Sequence, residues 1–321
     1  MLADIILKVA GMETEFWAET YHPRPSCAGR CIRQLVYRSK GVPPGPWPDR
    51  VPVVFDDGNW HAEMTLEWLS KSAFKIHDRE MKVHCGTVAG QDVTGSIDAL
   101  FEDLVGVDRL LEHKSTNHFT FQRHLALIEA GLPFPDDESY MAQVQLYLNS
   151  RELREAGIKQ AVLLFKNKNT GQYCEFIIDH DPALAESFLK QLEAVEEHVK
   201  GDTMPTRPYN RDVDWQCDYC RYAKPCWDGY DEERDEEIHE TDDEELSEAA
   251  DVYADAASIN STSAREKKEA KKRVVHALDR LGLTQAKVPS GLVVKWLKKH
   301  RKGYAVKPSD YQELRVTRPK K

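Results

Sequence analysis

Two carboxylates and a lysine lie close together in the chain: Asp98 in Gly95-Ser96-Ile97-Asp98, and Glu112 with Lys114 in Leu110-Leu111-Glu112-His113-Lys114. Side chains two apart on a strand share a face, so Glu112 and Lys114 project together while His113 points away. If the preceding strand pairs antiparallel with this one, Asp98 lies beside Glu112 and the backbone carbonyl of His113 comes within reach of the same point. Hard divalent cations such as Mg2+ or Mn2+ prefer oxygen ligands, and a cation held there activates water and neutralises charge on a phosphate. Phosphodiester hydrolysis is the chemistry this suits. Lys114 then orients or deprotonates the water, or stabilises the transition state, according to its pKa. The competing reading is a plain Glu–Lys surface pair on an exposed strand.

Other residues bear on the same point. His61, in Asp57-Gly58-Asn59-Trp60-His61, stands near the start of a helix whose Met64, Leu66, Trp68 and Leu69 give it an apolar side. It is either an imidazole ligand beside the carboxylates or a structural histidine. Gln143 and Tyr147 are four apart on a predicted helix and share a face, which the core or a site could use.

The 7 cysteines are an odd number in a chain of 321 residues, which argues against a secreted disulfide framework. Their clustering points to metal. Cys217-x2-Cys220-x5-Cys226 offers three thiolates, and an iron–sulfur cluster or an all-thiolate zinc takes four. Cys31 is the first candidate for the fourth ligand and Cys27 the next. Spacing alone suits structural zinc. Cys85 and Cys174 fall in predicted strands and read as buried apolar residues.

The elements that must position these groups are legible in the residue pattern. Helices are expected at Ser26–Ser39, with Ser26 as N-cap, then at Asp57–Ser70, Phe119–Ala130, Ser139–Ala156 and Pro182–Lys200. Strands are expected at Arg79–Val88, Asp92–Glu102, Val107–Ser115, Lys159–Asn167 and Tyr173–Asp179, the first three as an antiparallel meander. This order implies an α/β core, a mixed central sheet flanked by helices on both faces. Beyond it, a long helix within Asp242–Leu283 and two strands, Lys287–Leu297 and Tyr304–Arg318 around a turn at His300–Gly303, form a C-terminal helix plus β-hairpin appendage.

Charge divides sharply along the chain. From Asp228 to Asp255 about 15 acidic residues face one arginine, roughly −14, whereas from Arg265 to Lys321 about 18 Lys and Arg face about 5 acids, roughly +13. The acidic stretch reads as a solvated linker or the polar start of a helix. The basic tail reads equally as a nucleic-acid contact or a solvated helix face. The expected division is therefore 1–228, 229–255 and 256–321. No stretch approaches the roughly 18 to 20 apolar residues of a membrane span, and Leu2–Ala10 lacks the basic flank of a secretory signal, so a cytoplasmic protein without membrane partners is expected.

Taken together, Gly58-x-x-His61, Gly95-x-x-Asp98, Glu112-x-Lys114 and Gln143-x3-Tyr147 resemble, in order and approximate spacing, the RecB-like branch of the PD-(D/E)XK nucleases. The resemblance covers about residues 20–228. It implies a restriction-endonuclease-like core in which His61, Asp98 and Glu112, with the carbonyl of His113, bind Mg2+ or Mn2+. Lys114 is then catalytic, and Gln143 and Tyr147 support the site and the DNA. Cys31-Ile32-Arg33-x3-Tyr37 resembles the Cys-Pro-Arg-x3-Tyr opening of CRISPR-adaptation and AddB-type nucleases, with Ile32 in place of proline. That likeness favours a 4Fe-4S cluster on Cys31, Cys217, Cys220 and Cys226 over structural Zn2+. The C-terminal segment resembles the extension of YqaJ-type viral recombination exonucleases. The resemblance thus implies a DNA exonuclease for recombination, repair or genome processing, of phage or prophage origin. DNA is its expected substrate, and the resemblance admits a single-strand annealing protein and a second copy of the chain as partners. The alternatives are a CRISPR-type end-trimming nuclease and a non-catalytic DNA-binding scaffold. Arg30, Arg33, Arg123 and His124 are candidate phosphate contacts, with surface solubility as the other reading.

Overall fold

The structure of the protein, a computed structural model, describes residues 2–14, 21–48, 50–135, 139–230, 235–258, 264–301 and 309–317. It divides into two compact units, Met1–Pro205 and Thr206–Lys321. The division falls before the cysteine triplet, where the sequence boundary was expected after it.

The first unit runs α1 (Leu2–Thr14), a 3-10 turn (Pro25–Cys27), α2 (Ile32–Ser39), α3 (Val51–Ser70), β1 (Lys75–His77), β2 (Lys82–Val88), β3 (Gln91–Ser96), β4 (Ala99–Glu102) and β5 (Asp108–Thr116). It continues with α4 (His118–Glu129), α5 (Ser139–Leu148), α6 (Arg151–Glu155), β6 (Gln160–Asn167), β7 (Tyr173–Asp179) and α7 (Pro182–Lys200). Five strands form one mixed sheet in the order β1-β4-β5-β6-β7, in which only the β5–β6 pair is parallel. β2 and β3 form a separate hairpin.

Strand composition explains the layering. β6 is buried from Ala161 through Asn167, as a central strand covered on both faces must be. β7 alternates, with Cys174, Phe176 and Ile178 inward and Tyr173, Glu175 and Ile177 outward. One face of the sheet packs Leu111, Val162 and Leu164 against Leu66 of α3. On the other, Leu110, Ala161, Leu163 and Phe165 join Phe121 of α4, Met141 and Val144 of α5 and Leu192 of α7. Helices therefore flank the mixed sheet on both sides, as the sequence order implies.

Several boundaries differ from expectation. The helix expected from Ser26 begins at Ile32, because Gly29 takes a φ of +71° and packs so tightly that a Cβ there would sit 2.9 Å from the Ser139 Cα. The strand expected over Asp92–Glu102 breaks at Ile97–Asp98 into β3 and β4, which belong to different sheets. The helix expected over Ser139–Ala156 is interrupted where the Ser150 side chain caps α6. The α7 bounds agree throughout, with the Asp181 side chain accepting from the Ala183 and Leu184 N–H groups and Pro182 at the first helical position.

The second unit runs α8 (Trp215–Asp218), α9 (Ala223–Trp227), β8 (Asp235–Glu240), α10 (Glu244–Ser258), α11 (Ala264–Leu281), β9 (Leu283–Lys287), β10 (Val293–Arg301) and β11 (Ser309–Thr317). Its sheet has the order β11-β10-β9-β8, with β8 parallel to β9. The single long helix expected from Asp242 is two helices, because Leu246, Ala249 and Ala250 of α10 bury against Val274, Val275 and Leu278 of α11. The acidic stretch is thus strand and helix, and its acids pair with the basic helix next in the chain. Arg273 Nη2 lies 2.9 Å from Glu248 Oε2, and Arg280 Nη2 lies 2.7 Å from Asp243 Oδ2 and 3.0 Å from Glu245 Oε2. β10 extends through His300 and Arg301, where a turn was expected; the rest of that turn and Tyr304–Lys307 lie outside the described residues. Segment 206–230 is tied to α11 by hydrogen bonds from Asn210 and Tyr230 to Asp279 and by a 2.5 Å contact of His276 with Asp214. That is why it belongs to this unit. Among the described residues, no helix is long and apolar enough to cross a membrane.

Candidate active site

Strand alternation sorts the central residues of β5 between two layers. Leu111 and His113 face α3, while Leu110, Glu112 and Lys114 face α5. β4 pairs antiparallel with β5, Ala99 opposite Leu111, so Asp98 arrives at the start of β4 beside this segment. Its Oδ2 accepts a 2.7 Å hydrogen bond from the His113 N–H. Glu112 is 1% exposed; its Oε1 accepts from Lys114 Nζ at 2.5 Å, and its Oε2 is buried with no hydrogen-bond partner. The Lys114 ammonium also stands 5.3 Å from the centre of the Tyr140 ring.

α5 braces this arrangement. Tyr147 donates its hydroxyl proton to the Ser96 carbonyl at 2.8 Å and accepts from Gln143 Nε2 at 3.0 Å. The approach is possible because residue 95 is glycine: a Cβ there would lie 2.8 Å from Tyr147 Cε1 and 3.2 Å from its hydroxyl oxygen. Asp98, Glu112, Lys114, Gln143 and Tyr147 are thus joined through β3–β5 and α5.

Burial pushes the Glu112 pKa up; the nearby Lys114 charge opposes this, and the Asp98 and Glu80 charges add to it. Burial raises Asp98 as well, against Lys114 and the His113 N–H, with Glu63 adding a like charge. Burial alone would lower Lys114, but Glu112 and Asp98 outweigh it and hold the ammonium protonated. In this arrangement Lys114 is accordingly a hydrogen-bond donor and a positive charge beside Glu112. Glu63 and Glu80 contribute to this field without any sequence feature marking them; Glu80 is brought in by the turn whose N–H reaches the Asp98 carbonyl at 3.4 Å.

The donor chemistry fits a hard divalent cation. Two carboxylates adjoin, and one oxygen is buried without a partner, which is costly unless a cation or proton completes it. Among the described residues, no three His, Cys, Asp or Glu side chains gather closely enough to hold an ion as they stand. His61 lies on α3, its Nδ1 buried without a hydrogen-bond partner. Burial and the Lys166 charge push its pKa down, partly offset by Asp57. The His113 ring lies in the α3 layer, its Nε2 3.2 Å from Thr65 Oγ1, with its pKa pushed down to about 4 by burial and by Lys114, Lys166 and His61.

Two expected phosphate contacts are structural instead. His124 is 5% exposed, with its ring centroid 4.0 to 6.0 Å from those of Phe165, Phe134 and Phe176. Arg33 is buried, donating to the Pro205 carbonyl and to Tyr37. Amphipathic helix faces turned these two inward, while Arg30 and Arg123 are exposed.

Among the cysteines, Cys217 lies in α8, Cys220 in the turn after it and Cys226 in α9, linked by the Cys220 N–H to Cys217 carbonyl and Cys226 N–H to Tyr222 carbonyl hydrogen bonds. Cys31 precedes α2 in the first unit, and Cys27 is buried in the 3-10 turn with its thiol toward the His22 carbonyl. Cys85 and Cys174 are buried in β2 and β7.

No family model matches the chain, and no curated protein matches it. Among solved structures, the chain is similar to SSO0001, at 17% identity and a TM-score of 0.42, over 70% of this chain and 94% of that one. It is also similar to the alkaline exonuclease LHK-Exo from Laribacter hongkongensis, at 17% identity and a TM-score of 0.35, over 53% of this chain and 78% of that one. LHK-Exo in complex with dAMP matches over the same shares at 18% identity and a TM-score of 0.36.

Proposed function

We propose that the first unit is a divalent-cation-dependent DNA nuclease that hydrolyses phosphodiester bonds at DNA ends. The observation that carries this reading is Glu112: a carboxylate 1% exposed, with one oxygen on Lys114, the other buried without a hydrogen-bond partner, and the Asp98 charge acting on it. A fold keeps so unfavourable a group where something it binds repays the burial. Mg2+ or Mn2+ held by Asp98 and Glu112 would supply the positive charge that binds the scissile phosphate and acidifies water.

The chain's own residues do the rest. Asp98, fixed through Oδ2 by the His113 N–H, presents its other oxygen in a set direction. Lys114 donates to a phosphate oxygen or to the attacking water, stabilising charge as it develops in an in-line displacement. Tyr147 and Gln143 anchor the Ser96 carbonyl, two residues before Asp98, and so position the carboxylate from behind. In the second unit, the thiolates of Cys217, Cys220 and Cys226 are soft donors suited to an iron–sulfur cluster or zinc with a structural role.

The test is digestion of end-labelled linear and closed circular DNA by protein purified without oxygen, with Mg2+, Mn2+ or EDTA, beside Glu112→Gln and Lys114→Ala. Expected is cation-dependent loss of linear DNA alone, reduced at least a hundredfold in both variants. Cutting of circles would make it an endonuclease. No cutting by the wild type, or unchanged cutting by both variants, would refute the site.

A further inference from the structure

Lys166 is a buried lysine on β6, 4% exposed, and among the described residues it forms no ion pair with a carboxylate. Its Nζ instead lies 5.5 Å from the centre of the Trp68 ring and 5.6 Å from that of Tyr173. Met64 Sδ is 3.9 Å away. Met64 and Trp68 are four apart on α3 and mark the flank of that helix that overhangs β6. Trp60, four residues before Met64, continues the same flank by one turn.

The direction of that turn matters. Leu66 packs on Leu111, Thr65 meets His113, and Gly58 lies over Ser115, so α3 runs antiparallel to β5 and its earlier residues stand over the end of β5 just past Lys114. Lys168 is at that end, its N–H donating to the Thr116 carbonyl at 3.0 Å. So is the start of α4, where the His118 N–H donates to Asn169 Oδ1 at 2.9 Å. Phe119 comes next. Trp60 is 75% exposed, Trp68 55% and Phe119 82%. Trp60 and Trp68 thus stand in water on the α3 side of the sheet, and Phe119, at the start of α4, and Lys168 lie at the same end of β5 toward which the start of α3 points.

We infer that Trp60, Lys168 and Phe119 form a track for unpaired DNA, in which the two rings stack on bases and the lysine takes a phosphate. The inference rests on the nuclease reading for its location and deepens it by naming the substrate form, a strand separated from its complement. Apolar rings without cations would suit a protein partner as well. Rings interleaved with cations match a single strand, whose bases offer π faces and whose phosphates offer charge at alternating positions. A stacked duplex presents no free base face to these rings.

The experiment measures the anisotropy of a fluorescein-labelled oligo-dT, and of a blunt duplex of mixed sequence, with the full chain in EDTA, so that nothing is cleaved. Trp60→Ala and Phe119→Ala are each expected to weaken oligo-dT binding about tenfold, given the usual value of one base stack on one ring, and to change duplex binding by less than about twofold. Trp60→Phe restores most of the affinity. Lys168→Ala weakens oligo-dT binding and lowers the slope of log affinity against log salt by about 0.7, one phosphate contact on a single strand. The side chains replaced in the alanine variants are exposed rings, and their unchanged melting temperatures establish folding. Equal affinity of wild type and both alanine variants for oligo-dT, equal losses on duplex and single strand, or no oligo-dT binding by the wild type would overturn the track. A wild type that binds through these rings yet hydrolyses no DNA would sink the nuclease reading and leave the track. One that hydrolyses DNA while the alanine variants bind unchanged would do the reverse.

Discussion

Replacing Gly95 by alanine tests whether Tyr147 is held against β3 by the close approach at that position. Absent a clash, alanine in place of glycine stabilises by about 0.4 to 1 kcal/mol, through loss of unfolded-state freedom. Here the added Cβ would lie 2.8 Å from Tyr147 Cε1 and 3.2 Å from Pro25 Cγ, so the ring must move and release the 2.8 Å bond to Ser96 and the 3.0 Å bond from Gln143. Overpacking costs about 1 to 3 kcal/mol and each lost hydrogen bond about 1 kcal/mol, for an expected destabilisation of about 2 to 4 kcal/mol. The assay is a double-mutant cycle by urea unfolding with Tyr147→Ala. Once the ring is gone, Gly95→Ala should cost less than about 0.5 kcal/mol or become stabilising. Equal effects of Gly95→Ala in both backgrounds would refute the reasoning, because the cost would then have nothing to do with Tyr147. DNA cleavage by Gly95→Ala should fall as well, since the displaced ring lets go of the segment that delivers Asp98.

Two further outcomes are expected. Burial holds the His124 imidazole down at about 4, with the neighbouring Arg123 charge adding to the shift, so the folded chain keeps it neutral while the unfolded chain takes up a proton below about 6.5. Its contribution is complete above that pH and is lost as pH falls toward about 4; it amounts to about 2 kcal/mol between pH 7 and pH 5, and urea unfolding of His124→Phe should show an acid limb shallower by that amount. For the cysteine triplet, the anaerobically purified wild type should carry iron and sulfide, with broad absorbance near ~400 nm, and Cys220→Ser should lose both; a colourless protein containing zinc would reject the cluster in favour of a structural zinc site.

Much of the site was legible because strand periodicity is local. Two-residue spacing alone separates Glu112 and Lys114 from His113, and the structure sends them to opposite layers of the sheet. Asp98 reached the expected neighbourhood by a different route. The strand read as continuous breaks at that residue, and the break turns Asp98 from a mid-strand position into the hinge between the β2–β3 hairpin and the main sheet. Gly29 ended an expected helix through its contact with Ser139, more than a hundred residues away, which no local pattern carries. Glu63 and Glu80 join the field around Asp98 through tertiary packing, and His124 left the surface because three phenylalanines from other elements surround it. In the second unit the charge division was visible, but its resolution into paired helices depended on apolar stripes meeting across a turn.

That pairing has an electrostatic consequence for the rest of the molecule. The second unit holds 23 acidic and 23 basic residues, and is neutral as a whole, whereas the first unit holds 31 acidic against 21 basic residues and carries the entire net charge of −10. A nuclease on such a unit would meet the counterion atmosphere of DNA as one polyanion meeting another. Approach would be slowed at low ionic strength by mutual repulsion, and that repulsion would fade at 0.15 M salt, where the screening length is about 8 Å. Capture would then fall to short-range cations such as Lys168 and Lys114 and to the divalent ion itself, making the metal as much a bridge for docking as a reagent for hydrolysis.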